Sequence, residues 1–178
     1  GGGDEYQRIM EVKDMKAPMI IPIDFPKAYD VSDPAITKKI TLADLKHWEL
    51  APTNPASLEK NSIPFAITSF PPENLPDFLK NLRKSVAYGL SKTAALSSLT
   101  TVPAKWLGVD QDMGTLEAGK MANFIVTDGD LFEPGTQIMD NWIEGKPYVV
   151  NDPISESVLG EYDLSVGPLK AVLSIIGK

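Results

Sequence analysis

Cysteine is absent from the 178 residues, and histidine occurs once, at His47. The first absence removes disulfides, thiolate metal sites, cysteine nucleophiles and redox motifs together. The second matters for metals, because one imidazole cannot make a site and no tight carboxylate cluster stands beside it. Positive charge is also in short supply: 17 Lys+Arg face 24 Asp+Glu, a net charge of −7. With no basic stripe, a nucleic-acid surface is not expected, and anionic membranes are disfavoured for the same reason. No window approaches about 18 apolar residues, so no transmembrane helix is expected. The first residues do not set a charged stretch before an apolar run, which speaks against a signal peptide. A cysteine-free chain suits the cytoplasm or an oxidising periplasm, and a periplasmic or secreted place is favoured.

What is present is enough for a core. Hydrophobic residues make up 43% and charged residues 23% of the chain, a globular composition. Tyr6, Ile9, Met10 and Lys13 follow a helical period. Met19 to Ile23 is a short continuous apolar run of the kind that forms a strand buried on both faces, normally in a parallel sheet. Asp24 to Asn54 is a long polar connection punctuated by prolines, with a helix over Leu42 to Leu50. Asn54 is expected to cap a helix that has Pro55 at its first position. A second buried strand follows over Ile63 to Thr68, then the break Ser69-Phe70-Pro71-Pro72. Leu75, Phe78, Leu79, Leu82, Val86 and Leu90 make one apolar stripe of an amphipathic helix. Ser91 is placed to cap a helix over Lys92 to Leu99, and a short one from Thr101 closes at Gly108.

Beyond Met113 the composition turns to short strands and turns: Asn123 to Thr127, Gln137 to Ile143, and Pro147 to Val150. The last stretch, 151–178, reads as a hairpin opening a further β domain. The segmentation expected is therefore 1–110, 111–150 and 151–178. The chain starts at Gly1-Gly2-Gly3 with no Met, so it is read as a piece of a longer protein or one shortened upstream.

Three blocks carry a resemblance. They are Ala94 to Val109 (AALSSLTTVPAKWLGV), Gly114 to Val126 (GTLEAGKMANFIV) and Trp142 to Lys146 (WIEGK). In order and spacing this resembles the C-terminal signature of the amidohydrolase superfamily, metal-dependent hydrolases of the imidazolonepropionase-like kind. The resemblance implies an α/β fold: the last strands and helices of a (β/α)8 TIM-type barrel plus a small β-sandwich segment. Ile63 to Thr68 would be the eighth barrel strand, Met19 to Ile23 the seventh, and the glycines the loop after the sixth. A closed barrel needs about 250 residues, so the earlier strands are expected upstream of this chain.

The family's chemistry uses one or two divalent metals (Zn, Mn or Fe) held mostly by earlier strands, and metal-activated water cleaves non-peptide C–N bonds. The resemblance implies an Asp after the eighth strand and a His near the glycines, but the sequence has Ser69-Phe70 and no His there. This chain alone is therefore expected to be inactive, with no metal or cofactor of its own, and a small-molecule substrate belongs to the parent. The alternative is a catalytically inactive binding or scaffold module. Part of a barrel exposes sheet edges, so self-association or pairing with the upstream part is expected.

Candidates for the site are Asp24, Thr68 and Ser69, which would lie at the barrel mouth, and His47, by its near-neutral titration. Each has a plainer reading: turn capping for Asp24, turn hydrogen bonds for Thr68 and Ser69, packing or surface for His47. Asp128-Gly129-Asp130 lacks the ligand spacing of a Ca²⁺ loop and reads as a hairpin turn. The triple glycine is a weak phosphate motif without a following Lys-Ser/Thr. Asn123, where the family usually has Asp, can cap a local turn. Trp106 and Trp142 fall in apolar patterns and read as core or domain-interface residues.

Overall fold

A computed structural model describes residues 2–152 and 160–176. The chain divides into two compact units, Gly1–Lys120 and Met121–Lys178. In the first, a 3-10 turn at Glu5–Arg8 leads into α1 (Ile9–Asp14) and β1 (Met19–Pro22), followed by α2 (Pro34–Thr37), α3 (Leu42–Leu50) and α4 (Asn54–Lys60). Then come β2 (Phe65–Thr68), a 3-10 turn at Pro72–Asp77, α5 (Phe78–Ala87), α6 (Lys92–Leu99) and α7 (Thr101–Leu107). The continuous apolar runs pair as their composition predicts: β1 and β2 are parallel, with Met19 opposite Phe65 and Pro22 opposite Thr68. Both strands therefore end at the same edge. Ile21, Leu58, Leu82, Leu90 and Ala95 form the buried centre, and α6 and α7 pack against β2.

Three of the helices stop by the same device. After α4, α5 and α7, a residue with left-handed φ (Ser62, Gly89, Gly108) turns the chain. The next N–H then returns to a carbonyl five residues back: Ile63 to Leu58, Leu90 to Ser85, Val109 to Ala104. This six-to-one bond satisfies helix carbonyls that would otherwise be left open. It also shifts boundaries. Ile63 belongs to the end of α4, so β2 begins at Phe65 rather than at Ile63. The apolar stripe likewise turns helical only at Phe78, because Pro72 and Pro76 hold Leu75 in the preceding 3-10 turn.

Ser91 caps α6 as anticipated, its Oγ accepting from Ala94 N–H at 3.0 Å. Its own N–H and hydroxyl donate to Glu59 at 2.9 and 2.6 Å, which ties α6 to α4. Asn54 corrects the capping expectation. It lies inside α4 with helical φ and ψ, Thr53 precedes it as the cap residue, and its side chain reaches elsewhere.

Lys120 closes the first unit. Its half-buried ammonium, with side-chain exposure of 17%, donates to Asp110 O at 2.8 Å and Thr115 Oγ1 at 2.7 Å, with Glu117 at 3.5 Å. Glu117 is exposed, so its ion pair adds little and the two hydrogen bonds dominate. Lys120→Met keeps the stem and removes the donors, and should lower stability by about 1–3 kcal/mol. A thermal melt reads this directly: an unchanged midpoint would mean that the loop from Asp110 to Glu117 does not depend on the lysine.

In the second unit β3 (Phe124–Thr127), β4 (Ile138–Ile143) and β5 (Lys146–Val149) form an antiparallel sheet in sequence order. Phe124 stands opposite Trp142 and stacks on it, centroids 5.2 Å apart. The Trp142 indole N–H is buried without an acceptor among the described residues. Asn123 accepts from Glu144 N–H at 2.7 Å and so pins the start of β3 to the β4–β5 turn, the capping role its side chain allows. β6 (Gly160–Val166) and β7 (Leu169–Ile175) make the hairpin expected near the end, Tyr162 opposite Leu173 and Leu164 opposite Ala171. The expected punctuation at Pro153 lies outside the described residues.

Candidate functional site

Parallel pairing brings three of the four candidates together. Asp24 follows β1 by two residues, while Thr68 ends β2 and Ser69 follows it. With Ile23, Phe70 and Phe78 they line a shallow depression too small to enclose a water molecule. Phe70 is exposed at its rim and its peptide bond to Pro71 is cis. The depression has one carboxylate, two hydroxyls and apolar walls. Thr68 Oγ1 accepts from Phe70 N–H at 3.2 Å, the turn role that competes with nucleophilic use.

The segment carrying Asp24 is anchored from behind. Phe25 is buried, and Lys84 of α5 sets its ammonium 5.7 Å from the Phe25 ring centroid and 5.8 Å from that of Tyr88. Such cation–π contacts favour one placement of the aromatic ring over α5. Asp24 itself stays exposed.

His47 is not part of this group. It sits half-buried on α3, its Nδ1 2.9 Å from the Tyr6 hydroxyl, the two rings nearly parallel with centroids 6.1 Å apart. Thr41 opens α3 with a capping box, its Oγ1 accepting from Asp44 N–H at 3.1 Å while Asp44 accepts from Thr41 N–H at 2.8 Å. The Thr41 hydroxyl and amide hold the Asp44 carboxyl below its ordinary value, with a smaller contribution from His47.

One cluster had no counterpart among the sequence candidates. Glu5 is only 7% exposed although it is charged. Its Oε1 accepts from Gly2 N–H at 2.6 Å and Gly3 N–H at 3.4 Å, and its Oε2 from Asn54 Nδ2 at 2.7 Å. Asn54, 1% exposed, completes the cluster by accepting from Tyr6 N–H at 2.8 Å. Burial alone pushes the Glu5 carboxyl up, but Glu5's own backbone N–H, the Asn54 amide and the two glycine amides together outweigh it and hold it below its ordinary value of 4.5. The glycine amides are thus committed to an internal carboxylate, which disposes of the phosphate-cradle reading. No spacing signal could have found this cluster, because its halves lie 49 residues apart.

Among the described residues no group of three or more His, Asp or Glu side chains is placed to hold a metal ion. The two turn aspartates are spent on backbone: Asp128 accepts from Gln137 N–H and Asp130 from Phe132 N–H, at 2.8 and 2.9 Å.

The amidohydrolase family model matches residues 67–157. Over 91 residues the chain is 34% identical to the amidohydrolase tasK of Hapsidospora irregularis, covering 51% of this chain and 9% of that protein. Its fold is similar to that of an amidohydrolase from Thermotoga maritima MSB8, with a TM-score of 0.58 and 22% identity over 82% of this chain and 34% of that one. A prolidase solved with N-methylphosphonate-L-proline gives a TM-score of 0.56 and 15% identity, over 79% and 37% of the two chains. The chain thus spans about a third of the length of these solved relatives. With half of its length matched by the family model, this chain belongs to the amidohydrolase family.

Proposed function

We propose that this chain is the C-terminal part of a hydrolase acting on non-peptide C–N bonds. In this reading β1 and β2 are the last two strands of a (β/α)8 barrel, and the sheet of the second unit is a segment of its β-sandwich. The observation that carries it is the family match, which starts in β2 and runs through the second unit's sheet to residue 157. The depression at the strand ends supports it, since active sites of such barrels lie at the C-terminal ends of their strands. There Asp24 and Ser69 would contact a substrate, and Phe70 and Phe78 would cover its apolar part. Thr68 would shape the turn.

Hydrolases of this family generally use a divalent metal. Among the described residues no group of donors is placed to hold one, and in this reading any Zn, Mn or Fe is held by the rest of the parent. A second reading has a specific observation behind it: β2 is followed by Ser69-Phe70, where the resemblance implies an acid. On that reading the parent is a binding or scaffold module.

The experiment is a screen of the whole parent protein against N-acyl amides and cyclic imides, with its metal content measured in parallel. The hydrolase reading expects chelator-sensitive turnover of at least one class and stoichiometric metal, with residues 1–178 alone inactive. A folded parent with neither turnover nor metal would overturn it in favour of the scaffold. Turnover by residues 1–178 alone would refute the claim that the chemistry lies upstream.

A further inference from the structure

We infer that Glu5 and Asn54 are positioning residues that seat the Gly2–Gly3 backbone at the end of β1, beside the depression that holds Asp24. The inference rests on the hydrolase reading for its functional meaning, and on geometry for its existence. Gly3 has φ +85° and lies against Pro22, the last residue of β1: a side chain on Gly3 would meet the Pro22 carbonyl oxygen at 3.8 Å and its ring at 3.9 Å. The glycine backbone is therefore at the same edge as Asp24, two residues further along the chain.

What holds it there is polar and directional. One carboxylate oxygen collects the two glycine amides, and the other collects the Asn54 amide. Asn54 turns its carbonyl oxygen to Tyr6 N–H. Each side chain thus fixes the other's orientation, and α4 serves as the rigid base, its first turn buried at Asn54, Pro55 and Ala56. Nothing about core filling requires this: apolar residues would fill the same volume without orienting a backbone loop. A fully satisfied buried polar cluster specifies one arrangement of the segments that it joins. Tyr6, held through its N–H, also carries the hydroxyl that meets His47, so the cluster sets that pair as well.

The polarity of the cluster can be reversed, which makes the inference testable. Glu5→Gln leaves Asn54 Nδ2 facing an amide that can present a donor, and Asn54→Asp sets two carboxylates against each other. In the double variant Glu5→Gln/Asn54→Asp the Gln amide donates to Asp, the Gln oxygen still accepts from Gly2, and the second Asp oxygen accepts from Tyr6.

Amide exchange in the 178-residue chain is followed by NMR at Gly2, Tyr6 and Ala66. Each single variant should speed exchange at Gly2 and Tyr6 by about tenfold beyond any change at Ala66 in β2, which reports the general change in stability, and the double variant should restore slow exchange. If a single variant fails to fold, the double variant alone decides: native exchange at Gly2 and Tyr6 supports the inference. Fast exchange there in a folded double variant, or wild-type exchange in both singles, overturns it. So does equal acceleration in β2, which would mark a general loss of stability. No substrate is needed, so the clasp can fail while the hydrolase reading stands, and the reverse.

Discussion

Leu82→Ala should lower the stability of the first unit by about 3 kcal/mol, while Leu75→Ala should change it by less than about 0.5 kcal/mol. Both leucines belong to one apolar stripe in the sequence, and the difference is one of placement. Leu82 lies in the middle of α5 at 1% exposure, inside the centre shared with Ile21, Leu58 and Leu90. Truncating it removes buried methyl groups and leaves a cavity that close-packed neighbours fill only in part. Leu75 sits in the 3-10 turn ahead of α5 at 62% exposure, so its loss opens no cavity. Urea denaturation of the two variants measures the contrast. Equal losses would mean that the turn at Pro72–Asp77 is packed against something and that α5 does not define the core.

The same contrast shows what could be read from residues in advance. Local patterns were legible where the physics is local. The runs around Ile21 and Ile67 pair in parallel as read, but only β2 is covered on both faces, since Ile20 of β1 stands exposed beside the buried Ile21. Ser91 caps α6 and Gly108 ends α7, because a hydroxyl acceptor and a left-handed residue act within four or five positions. Family membership was legible from three spaced blocks, one of which carries Lys120 and its loop-closing bonds. The site was legible in part: parallel pairing alone brings Asp24 to Thr68 and Ser69, whereas His47 and Tyr6 meet across 41 residues of chain. Asn54 failed for the same reason. A short polar residue before Pro55 fits a cap on local grounds, but Glu5 and Tyr6 N–H supply better partners that only the tertiary fold brings near. A buried carboxylate with distant donors leaves no periodic trace.

Asn54→Asp should cost about 3 kcal/mol at pH 7, and the loss should shrink as the pH falls toward about 5. In the wild type the Glu5 carboxyl is held below its ordinary 4.5 by its own backbone N–H and by the asparagine and glycine amides, so the folded state binds its proton less readily than the unfolded chain does. That stabilisation is complete above about pH 5 and is lost as the pH falls through the folded value. The variant reverses the sign. Two carboxylates within hydrogen-bond distance, both buried, cannot both stay charged, so the folded state must take up a proton that the unfolded chain at pH 7 does not hold. Leaving an uncompensated charge buried costs about 3–5 kcal/mol, which sets the size of the effect. Stability of the variant relative to wild type should therefore rise as the pH is lowered through the range in which the pair takes up its proton. Urea midpoints of both proteins at about pH 7 and about pH 5 give this difference, with the other carboxylates cancelling between them. A difference independent of pH would show that the introduced aspartate swings out to solvent, and that the contact between Glu5 and Asn54 does not hold the glycine loop.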